Sequence, residues 1–255
     1  MSVVQWPVPG SPDKRWRARA FGQTLADLDV DLGAPAPVVT TSILIGCLSE
    51  DGAAPDDAEL WSWTVNRRLQ GLLAVTIATR GDAWTTTIRC SSAACAEPMD
   101  LPLNLGAFMR REDPVQVTCA LGDGEGIAVA VPTGADQIAW LRDGSSEPLA
   151  MLRRLLPPAD APDPERLAAV EDGLAEADPL TVLDLETRCP ACGAECHLAL
   201  DLEDVCLGLL AAAPPALLDD IHALALAYHW SEAEILAVAP ERRRQYLARL
   251  ERSWS

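Results

Sequence analysis

The sequence predicts an α+β chain. Two internal half-repeats each supply a zinc-ribbon-like β-hairpin, helices are inserted between them, and a helical module ends the chain. Three observations carry this expectation. The first is a pair of cysteine knuckles in related segments: Cys90-Ser91-Ser92-Ala93-Ala94-Cys95, and Cys189-Pro190-Ala191-Cys192-Gly193. The second is that, aligned on Cys95 and Cys192, both segments continue into an alternating run, Leu101-Pro102-Leu103-Asn104-Leu105 and Leu198-Ala199-Leu200-Asp201-Leu202, which is the period of a strand. The third is a stripe of Leu217, Ile221, Leu224 and Tyr228 near the C-terminus, spaced as one face of a helix.

The elements follow in chain order. Residues 1–20 read as an extended N-terminal arm, with Trp6, Trp16 and three prolines. Residues 21–205 read as one α+β body containing both knuckles, and residues 206–255 as a helical docking module. Within the body, Leu60 to Thr79 carries Leu60, Trp63, Leu69, Leu72, Leu73, Val75 and Ile77 and predicts a helix. Trp84 to Arg89 alternates as the strand entering the first knuckle, and Met99 to Leu105 is its return. Gly126 to Val131 is a further strand. Thr133 followed by Asp136 suits a helix start, and Ser146 suits the start of another helix reaching Leu156. Residues 157–164 are a proline and aspartate linker, and a helix over about 164–176 shows Leu167, Val170 and Leu174 on one face. Leu180 to Thr187 enters the second knuckle, and Cys196 to Leu202 leaves it. In the tail, Ser231 and Glu234 form a capping box, Trp230 and Ile235 stand where a hydrophobic staple needs them, and Pro240 fits the first turn of a last helix.

Composition narrows the function classes. The 255 residues are 49% hydrophobic and carry a net charge of −18, with a pI near 4.4. Such a field repels phosphate backbones, so no nucleic-acid partner is expected. The longest apolar stretch, Val205 to Leu218, is interrupted by Pro214-Pro215 and is too short to span a bilayer, so no membrane span is expected. No leader pattern stands at Met1. The expected location is the cytoplasm, where thiols stay reduced and paired cysteines favour metal over disulfide.

Cys90, Cys95, Cys189 and Cys192 are therefore the expected ligands of one structural zinc. C-x-x-C-G is a tight knuckle; C-x4-C is looser, its extra residues bulging the turn. Cys196 and His197 align with Met99 and Asp100 and read as a core position and its neighbour, not as ligands. Cys47, Cys119 and Cys206 sit in apolar context and read as buried thiols. A closed set of four cysteines leaves no open position for catalysis. No H-x-E, G-x-S-x-G, P-loop or dinucleotide-binding glycine pattern is present, so no catalytic residue is expected. Arg242-Arg243-Arg244 reads as a small basic run facing an acidic partner or an acidic face of the same chain.

The segments Ile221-His222-Ala223-Leu224-Ala225, Tyr228-His229-Trp230-Ser231-Glu232, Glu234-Ile235-Leu236 and Arg242-Arg243-Arg244-Gln245-Tyr246-Leu247 resemble the tail of phage baseplate hub assembly proteins of the T-even type, a group with homologues in contractile injection systems. Pro132-Thr133-Gly134-Ala135-Asp136-Gln137 with Trp140-Leu141 resembles a segment between that group's two knuckles. The order of knuckle, central motif, knuckle and helical tail is shared over about residues 20–250. The first knuckle departs from the group, being C-x4-C where C-x-x-C is usual. The resemblance implies a non-enzymatic structural or assembly protein of a contractile tail, with other baseplate or hub proteins as partners and an assembled tail-like particle as a further location. The alternative expectation is a zinc-ribbon adaptor that binds another protein in transcription or signalling. A zinc hydrolase is the remaining class.

Overall fold

The computed structural model describes residues 4–8, 11–109, 114–121, 125–144, 148–156, 164–178, 180–181 and 183–254. The chain mixes helices with small antiparallel sheets and divides into two compact units. Unit 1 gathers residues 1–55, 71–81 and 206–255. Unit 2 holds residues 56–70 and 82–205.

Unit 1 begins with a three-stranded antiparallel sheet of β1 (Val4–Val8), β2 (Ser11–Ala18) and β3 (Leu48–Glu50), with β2 central. The N-terminal segment is thus extended but folded back on itself, pairing Val4 with Ala18 and Trp6 with Trp16. Strand alternation buries Trp16 and Ala18 and leaves Arg17 exposed. Helix α1 (Leu25–Leu28) is fixed from outside: Asp27 takes both guanidinium nitrogens of Arg19 at 2.7 and 2.8 Å and the Gln23 and Thr24 amides at 2.8 and 3.0 Å. Helix α2 (Ala36–Cys47) starts at Pro35 and Pro37, whose missing N–H groups cost nothing in a first turn, and buries Val39, Ile43, Leu44 and Cys47. Residues 71–80 of α4 (Val65–Arg80) belong here too, with Leu72, Leu73 and Val75 fully buried.

The C-terminal helices are α8 (Leu202–Leu210), α9 (Ala213–Tyr228), α10 (Glu232–Ala237) and α11 (Pro240–Trp254). Pro214 and Pro215 do not break a helix. The break falls one turn earlier, at Ala211–Ala212, and the prolines occupy the first turn of α9, where a ring costs no hydrogen bond. Leu217, Ile221 and Leu224 of α9 are buried with Ile235 of α10, and Tyr228, Trp230, Tyr246, Leu247 and Leu250 pack against them. His229 ends α9 in a left-handed conformation at φ 56°. Ser231 then caps α10 by a reciprocal box with Glu234. Among the described residues, Leu202–Tyr228 is the one helical stretch with the length (27 residues) and mean hydropathy (1.4) to cross a membrane, although it is divided between α8 and α9.

Unit 2 contains α3 (Asp57–Ser62), the start of α4, and three two-stranded hairpins: β4 (Ala83–Arg89) with β5 (Pro98–Asn104), β6 (Gln116–Ala120) with β7 (Gly126–Ala130), and β8 (Leu183–Arg188) with β9 (Glu195–Leu200). It also contains α5 (Gly134–Arg142), α6 (Pro148–Leu155) and α7 (Pro164–Ala177). The start expected at Ser146 and residues 157–163 of the linker lie outside the described residues. One core joins Cys119, Ile127 and Val129 of the middle hairpin to Leu156, Leu167 and Val170. Gly173 lets α7 meet that hairpin: a Cβ there would stand 2.5 Å from the Cys119 sulfur.

The helix expected over Leu60 to Thr79 is interrupted at Trp63 and Thr64. Thr64 forms a bridge with Thr133, the Val65 amide donates to the Pro132 carbonyl at 2.9 Å, and the Gly134 amide donates to the Trp63 carbonyl at 3.1 Å. These pairings take the backbone groups a continuous helix would use. Arg68, only 1% exposed, donates to the Leu60 carbonyl at 2.9 Å and lies 4.8 Å from the Trp61 ring. Gly134 opens α5 beside it, because a Cβ there would sit 2.6 Å from the guanidinium.

Candidate metal centre

The first and last hairpins of unit 2 each end in a knuckle. Arg89 pairs with Pro98, and Arg188 with Glu195, as the last rungs before each turn. The next residue is a cysteine in both cases, and it closes the turn by the same kind of bond: the Cys90 amide donates to the Glu97 carbonyl at 3.0 Å, and the Cys189 amide to the Ala194 carbonyl at 2.9 Å. The far side of each turn also matches. Gly193 stands at φ 75° and donates to the Cys189 carbonyl at 2.8 Å, while Ala96 stands at φ 50° and donates to the Ser92 carbonyl at 2.9 Å. Glycine accepts that left-handed conformation without cost; alanine takes it at about 1 kcal/mol. The two additional residues of the longer C-x4-C turn therefore fall at its start, at Ser91 and Ser92, where the Ser92 amide donates to the Cys90 sulfur at 3.4 Å.

These turns bring four sulfurs together. The Sγ atoms of Cys90, Cys95, Cys189 and Cys192 all lie within 4.8 Å of one another. Cys90 and Cys192 are 3.6 Å apart, and Cys95 and Cys189 are 3.9 Å apart. In a tetrahedral thiolate site with metal–sulfur bonds of about 2.3 Å, the sulfur–sulfur edge is about 3.8 Å, so the closest contacts fit such a site. The group could hold a metal ion such as zinc. Cys90 and Cys189 are buried, Cys95 is half-buried and Cys192 is exposed, so the cluster opens to solvent at one corner.

The thiols differ in acidity for physical reasons. The backbone N–H groups of Cys192 and Ala191 favour a thiolate on Cys189 and hold it at about 7. At Cys90 the Ser92 N–H also favours the thiolate, but burial and the neighbouring cysteines outweigh it and push the thiol up to about 12. Like charges at this spacing cannot all form unaided, so a divalent cation would displace the remaining protons as it binds.

Cys196 lies beside the cluster, 2% exposed and packed with Cys90, Cys189, Ile88 and Met99. Its sulfur accepts from the Ser91 amide at 3.5 Å and exchanges a contact of 3.6 Å with the Ser91 hydroxyl. In the sequence Cys196 aligns with Met99; its tie to the first knuckle through Ser91 has no sequence signal, since the two residues are 105 positions apart. His197 is exposed, with its Nδ1 3.8 Å from Glu186 on the paired strand, and stands outside the thiol group. Cys47, Cys119 and Cys206 are buried. The arginine run is not a uniform basic face: Arg243 is 2% exposed, whereas Arg242 and Arg244 are exposed. Compared with protein-family models, with curated proteins and with solved structures, the chain matches none.

Proposed function

We propose that the chain is a non-enzymatic structural protein in which one zinc ion, held by Cys90, Cys95, Cys189 and Cys192, clips two half-repeat, zinc-ribbon-like hairpins together, and that it serves the assembly of a contractile, phage-tail-like baseplate. The observation that carries the first part is the convergence of four thiols within 4.8 Å from positions as much as 102 residues apart. Fastening such distant segments removes much of the freedom of the unfolded chain. Zinc would supply the positive charge that lets four thiolates sit together. With four protein ligands it would keep no position open for water or substrate, which is the arrangement of a structural site. The baseplate role rests on the order of knuckle, Pro132–Gln137 motif, knuckle and helical tail in the sequence.

A second reading, a zinc-ribbon adaptor, draws on the hairpin faces. Trp84, Leu101, Leu103, Leu185 and Leu198 alternate along their strands and remain half-exposed, which leaves apolar surface for a protein partner. Co-purification from the native host separates the two. Recovery of sheath, tube or spike proteins with the chain supports the baseplate role. Recovery of transcription or signalling proteins instead would overturn it in favour of the adaptor.

A further inference from the structure

We infer that unit 1 carries a binding site for a small anionic molecule, in the cleft beside Arg243, which takes a phosphate or carboxylate group. The cleft has a volume of about 720 Å³ and is bordered by Gln23, Thr79, Arg80, Asp220, Arg243 and Arg244. This is room for a metabolite-sized ligand and not only a bare ion. Arg243 is 2% exposed. Its Nη2 donates to the Gln23 carbonyl at 2.9 Å, while Nη1 has no hydrogen-bond partner among the described residues. A buried guanidinium with a free donor is costly unless an acceptor meets it. Burial lowers its proton affinity, and the charge of Asp220 only partly offsets this.

The surroundings favour an anion as the missing partner. Arg244 is paired with Glu241 one turn back on the same helix, so that acid is already engaged, and Arg80 and Arg243 remain against Asp220. The start of α11 also faces this cleft through Pro240 and Glu241. The residue before it, Ala239, accepts the Arg242 and Arg243 amides through its carbonyl at 2.8 and 3.0 Å but has no side-chain oxygen with which to cap the helix. The positive end of a 15-residue helix therefore adds to the field of the arginines. The cleft's three arginines, Arg80, Arg243 and Arg244, outnumber its two acids, Asp220 and Glu241, which is a local exception in a chain of net charge −18.

The test is calorimetric titration of the full chain with inorganic phosphate and, separately, with citrate, against chloride at equal ionic strength. Saturable binding of either anion, absent with chloride, is the expected result. Phosphate alone identifies a phosphate-bearing ligand, and citrate alone a carboxylate. Arg243→Gln should weaken binding about tenfold or more, as loss of a charge-assisted donor does. Should that variant not fold, the exposed pair Arg80→Ala and Arg244→Ala decides, with the same direction expected. No saturable binding to the unaltered chain, or undiminished binding in the variants that fold, would overturn the inference.

Discussion

At the scale of single residues, four cysteines form the close group and Cys196 stands beside it. Cys192→Ser removes one of the four sulfurs, whereas Cys196→Ser removes a thiol that accepts a hydrogen bond from the Ser91 amide but stands outside the set. Metal content, read by elemental analysis, should fall sharply in the first variant and stay near one per chain in the second. Equal loss in both would mean that the ligand set is wrong. A second prediction concerns Asp27. Burial alone would raise its carboxyl, but the Arg19 guanidinium and the Gln23 and Thr24 amides outweigh that and hold it below the usual range. A group whose folded value is depressed contributes stability above its unfolded value, about 3.9, and loses it as pH falls through the folded value. Asp27→Asn should therefore destabilise the chain at neutral pH, and the difference from the unaltered chain should shrink in acid melts below about pH 4. A gap independent of pH would contradict the role given to that carboxylate.

Elements were legible in the sequence where their signals are local. The capping boxes at Thr133–Asp136 and Ser231–Glu234 form as read, because each needs only side chains and amides within one turn. The strands flanking both knuckles were legible for the same reason: alternation is written into adjacent residues. What was not legible depends on distant partners. Nothing near Trp63 and Thr64 announces the helix break, which comes from Pro132, Thr133 and Gly134. Arg243 looked like the middle of a basic run, yet the Gln23 carbonyl 220 positions away takes it inside. The left-handed Ala96 was hidden because alanine, unlike Gly193, does not advertise that conformation.

Gly193→Ala should cost about 1 kcal/mol, since it imposes on the second knuckle the strain that Ala96 carries in the first. A melt showing no change would contradict the reading of the turn. Trp230→Ala should cost about 2–3 kcal/mol, because Trp230 is half-buried and its ring lies 5.0 Å from that of Tyr228 and 5.1 Å from that of Tyr246. Metal content should not move, as those rings belong to unit 1 and the thiols to unit 2. In the native host the same variant should lower the yield of sheathed particles seen by electron microscopy. Normal particle numbers would count against a role for the C-terminal helices in assembly.

Over the whole molecule, the proposed metal would hold the hairpins of unit 2 together, whereas unit 1 has buried residues of its own, Trp16, Phe21, Ile43, Leu44, Leu72 and Leu73. Binding energy of structural zinc, about 10 kcal/mol or more in small peptides, is comparable with the whole stability of a domain, about 5–15 kcal/mol. A chelator should therefore collapse hydrogen-exchange protection in the β4–β5 and β8–β9 hairpins while α2 and residues 71–80 of α4 keep theirs. The most direct test of the central claim is metal analysis joined to X-ray absorption on the purified full chain. One zinc per chain, with four sulfur neighbours at about 2.3 Å, is the expected result. A chain that purifies without metal, and whose unfolding transition neither zinc nor a chelator shifts, would contradict it.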